Sequence, residues 1–155
     1  MDLNISGKWA LVTGGANGIG EEISREFAKE GVNLVVTSRT SGPIDKLKDN
    51  LLKYPIEVIG IEVDFLDANW IDDFEAKLKD IPIQILVNNA GHNLNITDPY
   101  CSIEDWNRIL ELNFFTAVRL SNLLIPRMKN AGWGRIVNIT SVAGVENMGP
   151  VTYGV

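Results

Sequence analysis

The sequence predicts an α/β fold, a doubly wound parallel sheet, and three observations carry that expectation. Short β-rich apolar runs alternate with segments of helical spacing, the rhythm of βαβ units with right-handed crossovers. The first run, Trp9-Ala10-Leu11-Val12, is apolar throughout, as a central strand covered on both faces must be. Between it and the first helical segment lies a glycine-rich turn, Thr13-Gly14-Gly15-Ala16-Asn17-Gly18-Ile19-Gly20.

Strand 1 is expected over 8–13. The helix after Gly18 is expected to turn Ile19, Ile23 and Phe27 inward and Glu22, Arg25 and Lys29 toward water, with Gly31 ending it. Strand 2 follows at 33–38 on the run Leu34-Val35-Val36-Thr37. A loop through Ser41-Gly42-Pro43 leads to a short amphipathic helix over 44–53. In strand 3, over 57–64, Ile59, Ile61 and Val63 alternate with Gly60, Glu62 and Asp64, the pattern of a strand at the sheet edge. A helix over 68–80 places Trp70, Phe74 and Leu78 in i, i+4 register, and strand 4 is expected over 84–88. The longest helix spans 102–130, stopped near Pro126 or at Gly132, and strand 5 covers 135–140. The segment 141–155, with Gly144, Gly149 and Pro150, has no clear period. These five strands fit the order 3-2-1-4-5 in one domain over 1–155, with the sixth and later strands of a full dinucleotide-binding sheet lacking.

Composition narrows the function. The 155 residues are 45% hydrophobic and 22% charged, near a globular average, with a formal net charge of −6. That balance argues against a nucleic-acid partner or a basic membrane-surface protein. A single cysteine, Cys101, fits a reducing compartment; with no visible secretory signal and no run of membrane-spanning length, a cytoplasmic location is expected.

The glycine spacing is G-x-x-x-G-x-G (Gly14, Gly18, Gly20). A helix N-terminus carries unpaired N–H groups and about half a positive charge, and glycines let a diphosphate approach them. A plain strand-to-helix turn would look the same in isolation. At the other lip of the crevice between strands 1 and 4 stands Asn88-Asn89-Ala90-Gly91. The end of strand 2, where an acidic residue would accept from a ribose 2′-hydroxyl, instead reads Thr37-Ser38-Arg39. Arg39 suits a 2′-phosphate and Ser38 leaves room for it, so NADP(H) is preferred over NAD(H). Asp64, closing strand 3 beside this position, is placed to hold the adenine amino group.

On the long helix, Trp106, Leu110, Ala117, Leu120 and Leu124 form an apolar stripe with Asn113 inside it. A buried amide needs partners, so Asn113 is either a bridge to backbone groups or part of a site. On the opposite face, Phe115 among Glu104, Arg108, Glu111, Arg119 and Asn122 hints at a subunit contact. Strand 5 ends at Thr140-Ser141, and Tyr153 follows twelve residues after Ser141. The lone His92 has no ligand cluster around it, so no metal is expected, and no G-x-S-x-G elbow supports a hydrolase.

Together, Thr13-Gly14, Gly18, Gly20, Asp64, Asn88-Asn89-Ala90-Gly91, Asn113, Ser141 and Tyr153 resemble the short-chain dehydrogenase/reductase family, from about Lys8 onward. The resemblance implies a Rossmann-like domain in an oxidoreductase that passes hydride between NADP(H) and an alcohol or carbonyl substrate. It implies catalysis by Tyr153 as the proton-exchanging group, Ser141 as a hydrogen bond to the substrate oxygen and Asn113 as the holder of a relay water. It places the cofactor against Thr13, Gly14, Asn17, Gly18, Ile19, Gly20, Ser38, Arg39, Asp64, Phe65, Asn89, Ala90 and Gly91. It further implies a homo-oligomer through the 102–130 helix. In the family a lysine stands four positions after the tyrosine, and the sequence ends at Gly154-Val155. The expectation is therefore a truncated domain whose activity belongs to a longer chain, with strand 5 an aggregation-prone edge. The alternative is a non-catalytic module that binds a dinucleotide or a partner.

Overall fold

A computed structural model describes residues 3–146 and 149–153. Met1 and Asp2, and the end at Gly154-Val155 on which the truncation argument turns, lie outside the described residues. Five strands, β1 (Trp9–Val12), β2 (Asn33–Ser38), β3 (Val58–Glu62), β4 (Ile83–Asn88) and β5 (Arg135–Asn138), form one parallel sheet in the order β3-β2-β1-β4-β5. The expected order is therefore observed, with β3 at one edge. The helices are α1 (Gly18–Lys29), α2 (Ser41–Leu51), α3 (Trp70–Lys77), α4 (Ile103–Leu110) and α5 (Thr116–Asn130).

Period-two alternation along the strands splits the core into two layers. Ala10, Val12, Leu34 and Val36 face Ile44, Leu47 and Leu51 of α2 and Ala28 of α1. Leu11, Val35 and Leu86 face Trp70 and Phe74 of α3 and Leu120, Leu124 and Met128 of α5. In β4, Ile83 joins the second layer while Ile85 and Val87 join the first. The register against β1 slips between Trp9 and Ala10, and one extra residue in a strand reverses the side chains beyond it.

Four expectations need correction. The face of α1 buried against the sheet is Gly20, Ser24 and Ala28. Ile23 and Phe27 are only partly buried and Ile19 is 66% exposed. At the first position of that buried face only glycine fits, because a Cβ on Gly20 would overlap the Gly14 carbonyl in the turn after β1. Second, Ser41-Gly42-Pro43 forms the first turn of α2, not a loop. Proline is tolerated there because its missing N–H would have no intrahelical partner.

Third, the long helix is interrupted by a π turn, Glu111–Phe115, between α4 and α5. Side chains compete for the carbonyl ladder at this point: Asn113 Nδ2 donates to Ile109 O at 2.8 Å, and Thr116 Oγ1 to Glu111 O at 2.8 Å. The added residue shifts the apolar stripe, so Ile109, Thr116, Leu120, Leu124 and Met128 are buried while Trp106, Leu110 and Ala117 are only half-buried. The helix passes Pro126 and stops at Asn130, with Gly132 left-handed at φ 68°.

Fourth, most elements are shorter than expected. β1 lacks positions 8 and 13, β3 lacks 57, 63 and 64, β5 lacks 139 and 140, and α3 begins at Trp70, not 68. The aperiodic segment after β5 holds two single 3₁₀ turns, Val142–Gly144 and Val151–Tyr153.

Candidate active site at the carboxyl edge of the sheet

The glycine turn, Ser38-Arg39, Asp64-Phe65, Asn89-Ala90-Gly91 and Ser141 stand at or just after the carboxyl ends of parallel strands, while Asn113 lies on the π turn and Tyr153 on the second 3₁₀ turn. The glycine turn links β1 to α1. Gly14 and Gly18 are left-handed (φ 61° and 52°), and a Cβ on Gly18 would point into open space at the start of α1. An L-residue at either position would be strained. Asn17 is the extended N-cap of α1 and makes no side-chain cap bond.

Buried hydroxyls shape the turn from beneath. Thr13, 1% exposed, accepts from the Asn89 and Ala90 N–H groups at 2.9 Å each and donates to Val87 O at 3.3 Å. Asn89 Nδ2 returns a bond to Thr13 O at 2.9 Å. The Gly14 N–H donates to Thr37 Oγ1 at 3.0 Å, and Ser24 Oγ lies 2.9 Å from the carbonyls of both Gly15 and Gly20. These bonds tie the glycine turn to β2 and to the first turn of α1. Glu21 in that turn is paired with Arg25, whose guanidinium its hydrogen bond pushes up, so the carboxylate's charge is compensated beside the positive end of the helix.

The second lip is equally fixed. Asn88 Nδ2 donates to Asn138 Oδ1 at 2.8 Å, tying β4 to β5, while Asn88 Oδ1 is buried with no hydrogen-bond partner among the described residues. Gly91 sits so close to the long helix that a Cβ would meet Asn113 Oδ1 at 2.8 Å. Asn113 Oδ1 accepts from the His92 N–H at 2.9 Å and its Nδ2 donates to His92 O at 3.0 Å. Of the two roles open to Asn113, the bridge to backbone is therefore present. It leaves one Oδ1 lone pair.

At the far lip, Ser38 is half-buried at the end of β2 and Arg39 is exposed beyond it. Asp64 is exposed and its Oδ1 accepts from the Leu66 N–H at 3.0 Å. The Phe65 side chain turns inward, edge-on to Trp70 with centroids 4.8 Å apart, so only its backbone could reach a ligand. Ser141 caps the first 3₁₀ turn by accepting from the Ala143 N–H at 3.2 Å. Tyr153 is half-exposed on the second turn, which packs on α4.

Thr37, Ser24, Asn138 and Thr152 were not singled out by their sequence context. The available signal was a polar residue inside an apolar run, as in Val35-Val36-Thr37, since such a side chain must find a partner when buried.

A doubly wound parallel sheet with a glycine-lined helix start at its carboxyl edge places this protein in the Rossmann-like α/β class. The short chain dehydrogenase family matches residues 8–154, and the chain belongs to it. It is 31% identical over 144 residues to the very-long-chain 3-oxoacyl-CoA reductase of Bos taurus, covering 90% of this chain and 46% of that one. The structure of L-sorbose reductase from Gluconobacter frateurii, complexed with NADPH and L-sorbose, superposes with a TM-score of 0.92 at 33% identity. That match covers 99% of this chain and 60% of the reductase. A 7α-hydroxysteroid dehydrogenase complexed with NADH and 7-oxo glycochenodeoxycholic acid matches with a TM-score of 0.88 at 28% identity, over 99% of this chain and 60% of that one. The chain spans about half the length of the curated relatives it matches. No helix among the described residues is long and apolar enough to cross a membrane.

Proposed function

We propose that this chain is the nucleotide-binding part of an NADP(H)-dependent reductase or dehydrogenase acting on a small alcohol or carbonyl compound. The observation that carries this reading is the glycine turn: two left-handed glycines, a helix start with free amides, and open space where a Cβ of Gly18 would stand. Those residues fit a diphosphate. Ser38 and Arg39 at the end of β2 suit a 2′-phosphate, and Asp64 suits an adenine amino group.

The nicotinamide cofactor, when bound, supplies or accepts the hydride. The chain's own residues do the rest. Asn89, Ala90 and Gly91 wall the pocket on the β4 side. Ser141 holds the substrate oxygen by a hydrogen bond, and the Tyr153 hydroxyl gives that oxygen a proton in the reductive direction. Asn113 fixes the backbone of His92 and keeps one lone pair for a relay water. The exposed aromatic pair Phe114 and Phe115, edge-on at 5.2 Å, supports a subunit contact on the π turn and a homo-oligomer through that helix.

Titration calorimetry of the folded protein with NADPH and with NADH tests the reading. Heat with both, and tighter binding of NADPH, is expected; no heat with either nucleotide overturns it.

A further inference from the structure

We propose that Thr152 is a positioning residue for Tyr153, acting through the carbonyl of Ile96 in the loop after β4. The proposal rests on the assignment of Tyr153 made above. Thr152 immediately precedes Tyr153 and is fully buried, at 0% exposure. A buried hydroxyl must be paired. Thr152 Oγ1 donates to Ile96 O at 2.6 Å, across 56 positions of sequence. The turn's own bond, from the Tyr153 N–H to Pro150 O at 3.0 Å, is local and fixes nothing outside it. A single 3₁₀ turn is too short to aim a side chain by itself, so the bond to Ile96 sets where Tyr153 sits.

The Ile96 carbonyl is itself held. Leu94 and Asn95 are both left-handed (φ 55° and 60°), a conformation that asparagine visits readily and leucine does not. Three bonds maintain it: the Leu94 N–H to His92 Nδ1 at 2.7 Å, the Asn95 N–H to Asn93 Oδ1 at 3.0 Å, and the Ile96 N–H to Asn93 O at 2.9 Å. His92 is clamped through its backbone N–H and C=O by Asn113. A continuous path therefore runs from Asn113 through His92, the left-handed turn, Ile96 and Thr152 to Tyr153. One loop thus ties together two of the residues assigned to catalysis, and a small displacement of a proton donor from its productive geometry lowers the rate steeply.

The test compares Thr152→Val, which keeps shape and loses the hydroxyl, with Thr152→Ser, which keeps the hydroxyl. In the catalytically active protein, Thr152→Val is expected to lower kcat about tenfold with KM for the nucleotide unchanged. Thr152→Ser is expected to restore most of kcat. Amide hydrogen exchange at Ile96 and Tyr153 should accelerate in the valine variant alone, a readout independent of turnover. The proposal is overturned by wild-type kcat in Thr152→Val, by equal losses in kcat and nucleotide affinity, or by failure of serine to rescue. If the unsubstituted protein itself neither binds a nicotinamide nucleotide nor turns over, the functional reading fails first. Thr152 then loses its catalytic role whatever the exchange data show.

Discussion

Asn89 donates two hydrogen bonds at 2.9 Å to Thr13, 76 positions away, from its N–H to Thr13 Oγ1 and from its Nδ2 to Thr13 O. This double donation joins the end of β1 to the end of β4 and fixes the width of the crevice between them. Thr13 Oγ1 also accepts from the Ala90 N–H, so one hydroxyl serves two otherwise unpaired amides.

Thr13→Val should therefore cost about 2–3 kcal/mol, because two amides near the core lose their acceptor while shape is kept. Urea denaturation would show a lower midpoint at unchanged slope. Thr13→Ser should recover most of the loss. A valine variant as stable as wild type would mean that the amides find water.

Arg39→Ala should weaken NADPH binding about tenfold or more and leave NADH binding within twofold, since only the 2′-phosphate loses a charge-assisted bond. Calorimetry with both nucleotides measures it. Equal losses would remove Arg39 from the specificity argument.

Among the described strands β5 is an edge, and Val137 and Ile139 beside it are 45% and 38% exposed. The 155-residue chain alone should self-associate through this edge at micromolar concentration, and Val137→Lys should shift it toward monomer, because a charged side chain blunts edge pairing. Sedimentation velocity at two concentrations distinguishes the outcomes; a monodisperse unsubstituted chain contradicts the expectation.

Partial burial pushes the Cys101 thiol up, and Asp105 and Asp98 act in the same direction. A raised pKa means less thiolate at any pH below it, so iodoacetamide should modify Cys101 more slowly at pH 8 than it modifies a free cysteine peptide. The rate should rise with pH past the peptide's own plateau. A rate equal to the peptide's at pH 8 would show that neither burial nor the carboxylates hold the thiol up.

Much of the framework could be read directly from the residues. β2 falls at Asn33–Ser38 as the run Leu34–Thr37 requires, Gly31 ends α1 left-handed, and the alternation in 57–64 puts β3 at the edge. The glycine turn and Asn88-Asn89-Ala90-Gly91 likewise stand at the two lips of one crevice, since parallel topology brings every strand's carboxyl end to one side. The inner face of α1 was not legible. Sequence periodicity favoured Ile19, Ile23 and Phe27, but burial followed Gly20, Ser24 and Ala28, with Gly20 held against the Gly14 carbonyl where no Cβ fits.

By itself, then, the sequence determined which segments are strands and helices, their order in the sheet, and which short motifs lie at its carboxyl edge. Those features follow from local periodicity and backbone preference. The π turn at Asn113, the hydroxyl junction at Thr13 and the path from His92 to Thr152 were decided only by tertiary structure. The Thr13 junction, the Asn113–His92 bonds and the Thr152–Ile96 bond each join polar groups 21 to 77 positions apart, and no local pattern in the chain specifies which partner that is.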